Sequence, residues 1–210
     1  MPDTARHPIF ARLYAASSAG VERKGGAEHR AEMLAGVAGR VVEVGAGNGL
    51  NFGHYPPTVS EVVAVEPEPY LRERAEDAAR TAAVDVRVMD GLADTLPAED
   101  AAFDAAVASL VLCSVPDQAD ALAELRRVVR PNGELRFYEH VVATGRRGAL
   151  QRRLDDWGIW PRLTGGCHGA RDTEAAIAAN GWTIERVRRF DFKAGPAALP
   201  HIVGVARRDA

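Results

Sequence analysis

Short apolar runs alternate along the chain with stretches whose apolar positions recur every three or four residues. The runs at 40–45, 61–66, 84–89, 103–112, 134–140, 182–192 and 201–207 predict strands. The run at 103–112 is largely apolar, which predicts a central strand buried on both faces. Helical periodicity covers 68–82, with Glu and Arg on its outer face. It returns at 117–129, where Leu122, Leu125, Val128 and Val129 form one stripe. A third helix at 172–180 stops at Gly181. Residues 3–37 predict a helical lead-in with breaks at Gly20 and Gly25-Gly26. Residues 51–55 predict a short helix stopped by Pro56-Pro57. Pro131-Asn132-Gly133 reads as a turn, and Gly195-Pro196 with Pro200 joins the last two strands.

This order predicts an α/β fold: a mostly parallel sheet with helices on both faces, ending in a hairpin. The segment 143–171 breaks the alternation. It carries Arg146, Arg147, Arg152, Arg153, Trp157, Trp160 and Gly165-Gly166, and reads as a lid-like insertion over the sheet's carboxyl edge. Connections beyond about 12–15 residues in compact domains usually serve function.

Composition changes this picture little. A chain of 210 residues suits one domain, 1–210, with a real core. The net charge of -3, from 26 basic and 29 acidic residues, gives no global electrostatic reason to expect nucleic acid. Cys113 and Cys167 are too few for a disulfide framework or a zinc set, so a reducing cytoplasm fits and no metal is expected. Residues 1–12 are broken by Pro2 and Pro8 and predict no signal peptide. No stretch approaches the ~20 apolar residues that span a bilayer. The two Arg pairs suit peripheral contact with anionic lipid heads, although a solvated helix face, partly balanced by Asp155 and Asp156, is the commoner origin of such charges.

Candidate chemistry gathers at the predicted strand ends, where open α/β sheets bind ligands. Val41-Val42-Glu43-Val44 runs into Gly45-Ala46-Gly47-Asn48-Gly49. Glycine lets backbone approach a ligand closely. A dinucleotide loop needs a third glycine at position 50, where this chain has Leu50, so a nicotinamide dehydrogenase is disfavoured. Glu66, followed by Pro67, ends the next strand; an acid about 20 residues past a glycine turn can accept hydrogen bonds from ribose hydroxyls.

The glycine turn behind Glu43 resembles the first motif of class I S-adenosylmethionine (AdoMet) methyltransferases. That resemblance implies a Rossmann-like, seven-stranded sheet with one antiparallel strand, and AdoMet as cofactor. It implies that Glu43, Gly45, Ala46, Gly47, Gly49 and Asn51 surround the methionine part. Asp90-Gly91-Leu92-Ala93-Asp94 is similar to the family's adenine loop, which puts Gly91, Leu92 and Ala93 at the adenine. Relatives often carry Asp or Asn where Leu92 aligns, so Asp90, Asp94 or backbone would reach the adenine amino group. The fourth strand's end, Ser109-Leu110, and the fifth's, Glu139-His140, would flank the transferable methyl.

Further segments resemble the membrane-associated thiol S-methyltransferases of the methyltransferase-like-seven group: Gly49-Leu50-Asn51-Phe52, Tyr55-Pro56-Pro57, residues 110–115 (LVLCSV), Leu125-Arg126-Arg127-Val128, Glu139-His140-Val141, Gly166-Cys167, Arg171 and Pro200-His201-Ile202. Two departures stand out. No N-terminal hydrophobic anchor is visible, and His168 stands where a Cys is expected. The resemblance implies a small-molecule acceptor such as a thiol. An N- or O-methyltransferase of a lipid or secondary metabolite is the enzymatic alternative, and an AdoMet-binding sensor or assembly subunit the non-enzymatic one. His140 is the candidate proton acceptor, against the commoner structural role of a lone histidine. Tyr14 in the lead-in, Cys113, and Trp157, Trp160, Cys167 and His168 in the insertion would enclose the acceptor.

Overall fold

A computed structural model describes residues 8–193 and 198–209. Seven strands form one sheet: β1 (Gly39–Val44), β2 (Val59–Val65), β3 (Val86–Met89), β4 (Phe103–Ser109), β5 (Val129–His140), β6 (Trp182–Phe192) and β7 (Leu199–Arg208). Their spatial order is β3-β2-β1-β4-β5-β7-β6. Only β7 runs against its neighbours, pairing antiparallel with β5 and β6. Among the described residues the α-helices are α1 (Pro8–Val21), α2 (Ala27–Leu34), α3 (Pro69–Ala79), α4 (Gln118–Val128), α5 (Gly145–Asp156), α6 (Ile159–Leu163) and α7 (Thr173–Ala179).

The period-two pattern of the central strands sorts their side chains into two cores. Val42, Val44, Ala106 and Ala108 pack with Leu122 and Leu125 of α4, Ile177 of α7 and Trp182. Val41, Ala105 and Val107 pack on the other face with Met33 and Leu34 of α2 and Ala75 of α3. Small alanines in β4 let helices approach from both sides. Capping follows from the residue before each helix: Glu68 accepts the Leu71 amide, Asp117 that of Ala119 and Asp172 that of Ala175.

Four differences from the sequence pattern have physical causes. The apolar run 103–112 stops being strand at Ser109, because Leu110 takes a left-handed backbone with φ 58. Pro131-Asn132-Gly133 lies within β5 as an irregularity, where the register to β4 shifts and Asn132 has φ 61. Gly20 stays inside α1, whereas Gly25 (φ 113) kinks the π-helical turn Glu22–Gly26 between α1 and α2. Residues 52–54 form a single 3-10 turn. The expected insertion folds as α5 and α6, the latter reached through Gly158 in a left-handed conformation. The expected junction Gly195-Pro196 and residues 3–7 of the lead-in lie outside the described residues. Among the described residues no helix is long and apolar enough to cross a membrane.

Candidate active site

The parallel strands deliver their carboxyl ends to one edge, and the glycine turn after β1 sits at its centre. Gly45, Gly47 and Gly49 all have left-handed backbone, with φ 62, 58 and 77. A Cβ on Gly45 would overlap Val111, and one on Gly47 would meet the Tyr14 ring at 3.4 Å. Glu66, just past β2, is tied to this turn: its carboxylate accepts the Gly47 amide at 2.7 Å and the Glu68 amide at 2.9 Å. Burial raises its pKa, and the two amides oppose that rise.

Glu43 does not line the cavity. Its oxygens accept from Asn51 Nδ2 at 2.8 Å and Tyr55 OH at 2.6 Å. Burial lifts its pKa to about 7 against these two donors. Asn51 is equally engaged, since its Oδ1 accepts from Arg30 at 2.9 Å. The buried Arg30 also donates to Ser109 Oγ at 2.9 Å and to Glu22 at 3.1 Å. A chain of polar groups thus pins α2 to the floor beneath the glycine turn.

The loop after β4 is clamped from two sides. Glu139, wholly buried in β5, accepts the amides of Val111 (3.0 Å), Leu112 (2.9 Å) and Cys113 (3.3 Å). Burial, countered by those amides, puts its pKa at about 7. Arg171 donates to the carbonyls of Leu112 (2.8 Å), Val115 (2.6 Å) and Pro116 (3.1 Å). Leu110, strained at positive φ, is held by its amide on Tyr138 O at 2.7 Å.

Beside this loop lies a compact group of two sulfurs and one imidazole. His140 Nδ1 is 3.5 Å from Cys167 Sγ and 3.9 Å from Cys113 Sγ. Burial depresses the His140 pKa, but the Cys167 sulfur and Glu139 outweigh it and the net shift is upward. Cys167 is the sulfur held low, by Cys113 first and by His140, while Cys113 is pushed up. His201 packs against His140 with ring centroids 4.3 Å apart and the rings tilted by 52°, and burial drives its own pKa down to about 3.

The glycine turn, the loop after β4 and the sulfur–imidazole group line one cavity of about 660 Å³, a size typical of sites for small organic ligands. Its walls include Gly45, Gly47, Glu66, Pro67, Gly91, Leu92, Ala93, Ser109 and Leu110, all expected at the cofactor. Tyr14, Cys113, His140 and Trp160, expected at the acceptor, line it too. Phe10 and Ala11 of α1, with Thr164 and Gly165 after α6, cover it.

Six expected residues lie elsewhere. Glu43 and Asn51 belong to the polar chain below. Ala46 and Gly49 build the turn from behind, Ala46 on Val65 O and Gly49 against Phe52 and Ala78. Trp157 is 57% exposed under the Arg153 guanidinium. His168 faces Asp155 at 4.0 Å, although its amide holds Cys113 O at 2.7 Å. Arg30 and the clamp by Glu139 went unrecognised in the sequence. A carboxylate within the apolar run Phe137-Tyr138-Glu139 was the available signal for the clamp, because a buried charge demands partners. Arg30 offered none, since its partners Asn51 and Ser109 are 21 and 79 residues away.

The chain is similar to several known proteins. The family described as "Methyltransferase domain" matches residues 42–137. Human thiol S-methyltransferase TMT1B is 33% identical over 147 residues, covering 67% of this chain and 59% of that protein. Human thiol S-methyltransferase TMT1A is 31% identical over 185 residues, covering 83% of this chain and 74% of its own length. The chain therefore spans under two thirds of the first of these relatives. A solved structure from Bacillus halodurans, provisionally described as a methyltransferase, superposes with a TM-score of 0.73 at 14% identity, over 89% of this chain and all of that one.

Proposed function

The chain belongs to the class I AdoMet-dependent methyltransferases, and from that premise we propose that it moves the AdoMet methyl to a small-molecule thiol. The cavity suits the cofactor on its own terms. The glycine turn leaves a cradle that a Cβ would fill, and Glu66 brings a carboxylate to the wall of the cavity. When bound, AdoMet supplies an electrophilic methyl on a sulfonium and leaves as S-adenosylhomocysteine.

The chain's residues do the rest. Gly45 and Gly47 offer backbone to the methionine part, Glu66 accepts from the ribose hydroxyls, and Gly91, Leu92 and Ala93 flank the adenine. Ser109 and Leu110 lie between these groups and the acceptor. Phe10, Tyr14 and Trp160 shield the cavity from water. His140 takes the thiol's proton, and alignment of the two reactants supplies roughly 7–11 kcal/mol of the barrier reduction. One observation carries the reading: a single apolar cavity runs from the glycine turn and Glu66 to the His140 imidazole. The two human relatives bear names that specify a thiol acceptor.

The test is incubation with methyl-labelled AdoMet and an alkyl thiol, beside a parallel incubation with phospholipid. Label in the thioether is expected. Label in phospholipid alone would replace the thiol with a lipid acceptor. Tight AdoMet binding with no transfer to any acceptor would favour a sensor. His140→Ala is expected to cut turnover by roughly 10²–10⁴ while S-adenosylhomocysteine affinity holds; undiminished turnover removes His140 from the mechanism.

A further inference from the structure

We propose that Cys113, His140 and Cys167 form a zinc site whose open fourth position receives the acceptor thiolate. The proposal rests on the thiol reading above and changes what makes the thiolate. The two cysteines look too few for zinc when counted along the chain. Folding brings them to one imidazole, from the loop after β4, the end of β5 and the segment after α6.

The geometry is close to what zinc requires. The sulfur-to-Nδ1 separations are 3.5 and 3.9 Å, and all three donor atoms lie within 4.8 Å of one another. A tetrahedral ion with Zn–S about 2.3 Å and Zn–N about 2.0–2.1 Å places sulfur and nitrogen about 3.6 Å apart, and two sulfurs about 3.8 Å apart. Small side-chain adjustments would close the set. The donors are also held from behind. Glu139 accepts the Cys113 amide, the His168 amide donates to Cys113 O, and Thr164 Oγ1 donates to Cys167 O at 3.3 Å. The buried indole N–H of Trp160, in the same cavity wall, has no hydrogen-bond partner among the described residues, and a free donor there suits a metal-bound thiolate.

All three ligands line the cavity, so the ion would keep one side open, as catalytic zinc does. Two cysteine thiolates neutralise Zn²⁺. An acceptor thiol then binds through sulfur and releases its proton to solvent. Its sulfur lone pair forms the new S–C bond as the C–S bond of the sulfonium breaks, and that electron pair stays on the cofactor's sulfur. The thioether formed is neutral and a poorer ligand, so it leaves the ion. In this arrangement Nδ1 of His140 is a ligand and takes no proton.

The test starts from the purified full chain, stripped with chelator and titrated with Zn²⁺, and with Co²⁺ as a spectroscopic stand-in. One equivalent is expected to bind, with a thiolate-to-cobalt charge-transfer band. Cys113→Ser and Cys167→Ser should each sharply reduce that band and weaken zinc binding beyond the roughly 10–100-fold that follows from changing a group behind a ligand. Calorimetry with S-adenosylhomocysteine checks that both variants remain folded. Absence of the band, or its survival at full strength in both variants, overturns the site. Full thiol turnover by the stripped protein overturns zinc activation and leaves thiol transfer by His140 standing. Zinc binding with no thiol methylated sustains the metal site and overturns the thiol reading instead.

Discussion

Gly45 illustrates how much of the proposed function rests on a missing side chain. Its backbone is left-handed and its Cβ position is occupied by Val111. Gly45→Ala therefore forces both strain and displacement of the loop that carries Leu110 and Cys113. S-adenosylhomocysteine affinity should fall by about tenfold or more, given strain of order 1–3 kcal/mol; calorimetry showing unchanged affinity would take the turn out of the cofactor site. Glu43 makes a different prediction. Its folded pKa of about 7 exceeds the ordinary 4.5 because it is buried, so the folded state holds this proton more tightly than the unfolded chain does. The resulting stabilisation is full below about pH 4.5 and is lost as pH rises through about 7. Glu43→Gln keeps the Asn51 contact and lets Tyr55 OH accept instead of donate. Its stability should vary less with pH between 5 and 8 than that of the parent, by on the order of 3 kcal/mol. Parallel unfolding curves across that range would contradict the assignment.

Among the elements, the loop between β4 and α4 shows why strand ends make sites. It leaves the sheet at Leu110, exposes its amides to Glu139 and its carbonyls to Arg171, and so stays ordered without strand pairing. Arg171→Leu would strip three carbonyls of a charged donor. Hydrogen bonds to charged groups are worth about 1.5–3 kcal/mol, and denaturant unfolding should show a loss of that size. Thiol turnover should fall with it, because Cys113 rides on this loop; a variant as stable as the parent would mean that Glu139 alone holds the loop. The lead-in has a comparable role. Tyr14 lies on Gly47 and Arg30 reaches Asn51 and Ser109, so α1 forms part of the cavity wall and α2 braces the floor beneath it.

Across the whole molecule, local pattern and long-range pairing were unequally legible in the sequence. Period-two and helical repeats located each strand and the helices that cover the sheet, because burial on two faces imposes those periods directly. The glycine turn and Glu66 were legible as a pair because the fold places them at adjacent strand ends. The polar chain through Glu43, Asn51 and Arg30 was not, since it depends on side-chain directions that spacing does not set. Trp157 shows the converse: an aromatic in a covering segment suggested the acceptor wall, yet the helix turns it to solvent and gives that place to Trp160. What joins these scales is one orientation, with the ribose at Glu66 and the reacting sulfur toward His140 and the two cysteines. A crystal structure with S-adenosylhomocysteine bound measures that orientation directly. The ribose hydroxyls should lie on the Glu66 carboxylate, and the product's sulfur should face the Cys113, His140 and Cys167 group across open cavity. A ribose away from Glu66, or a sulfur turned from that group, would contradict that orientation.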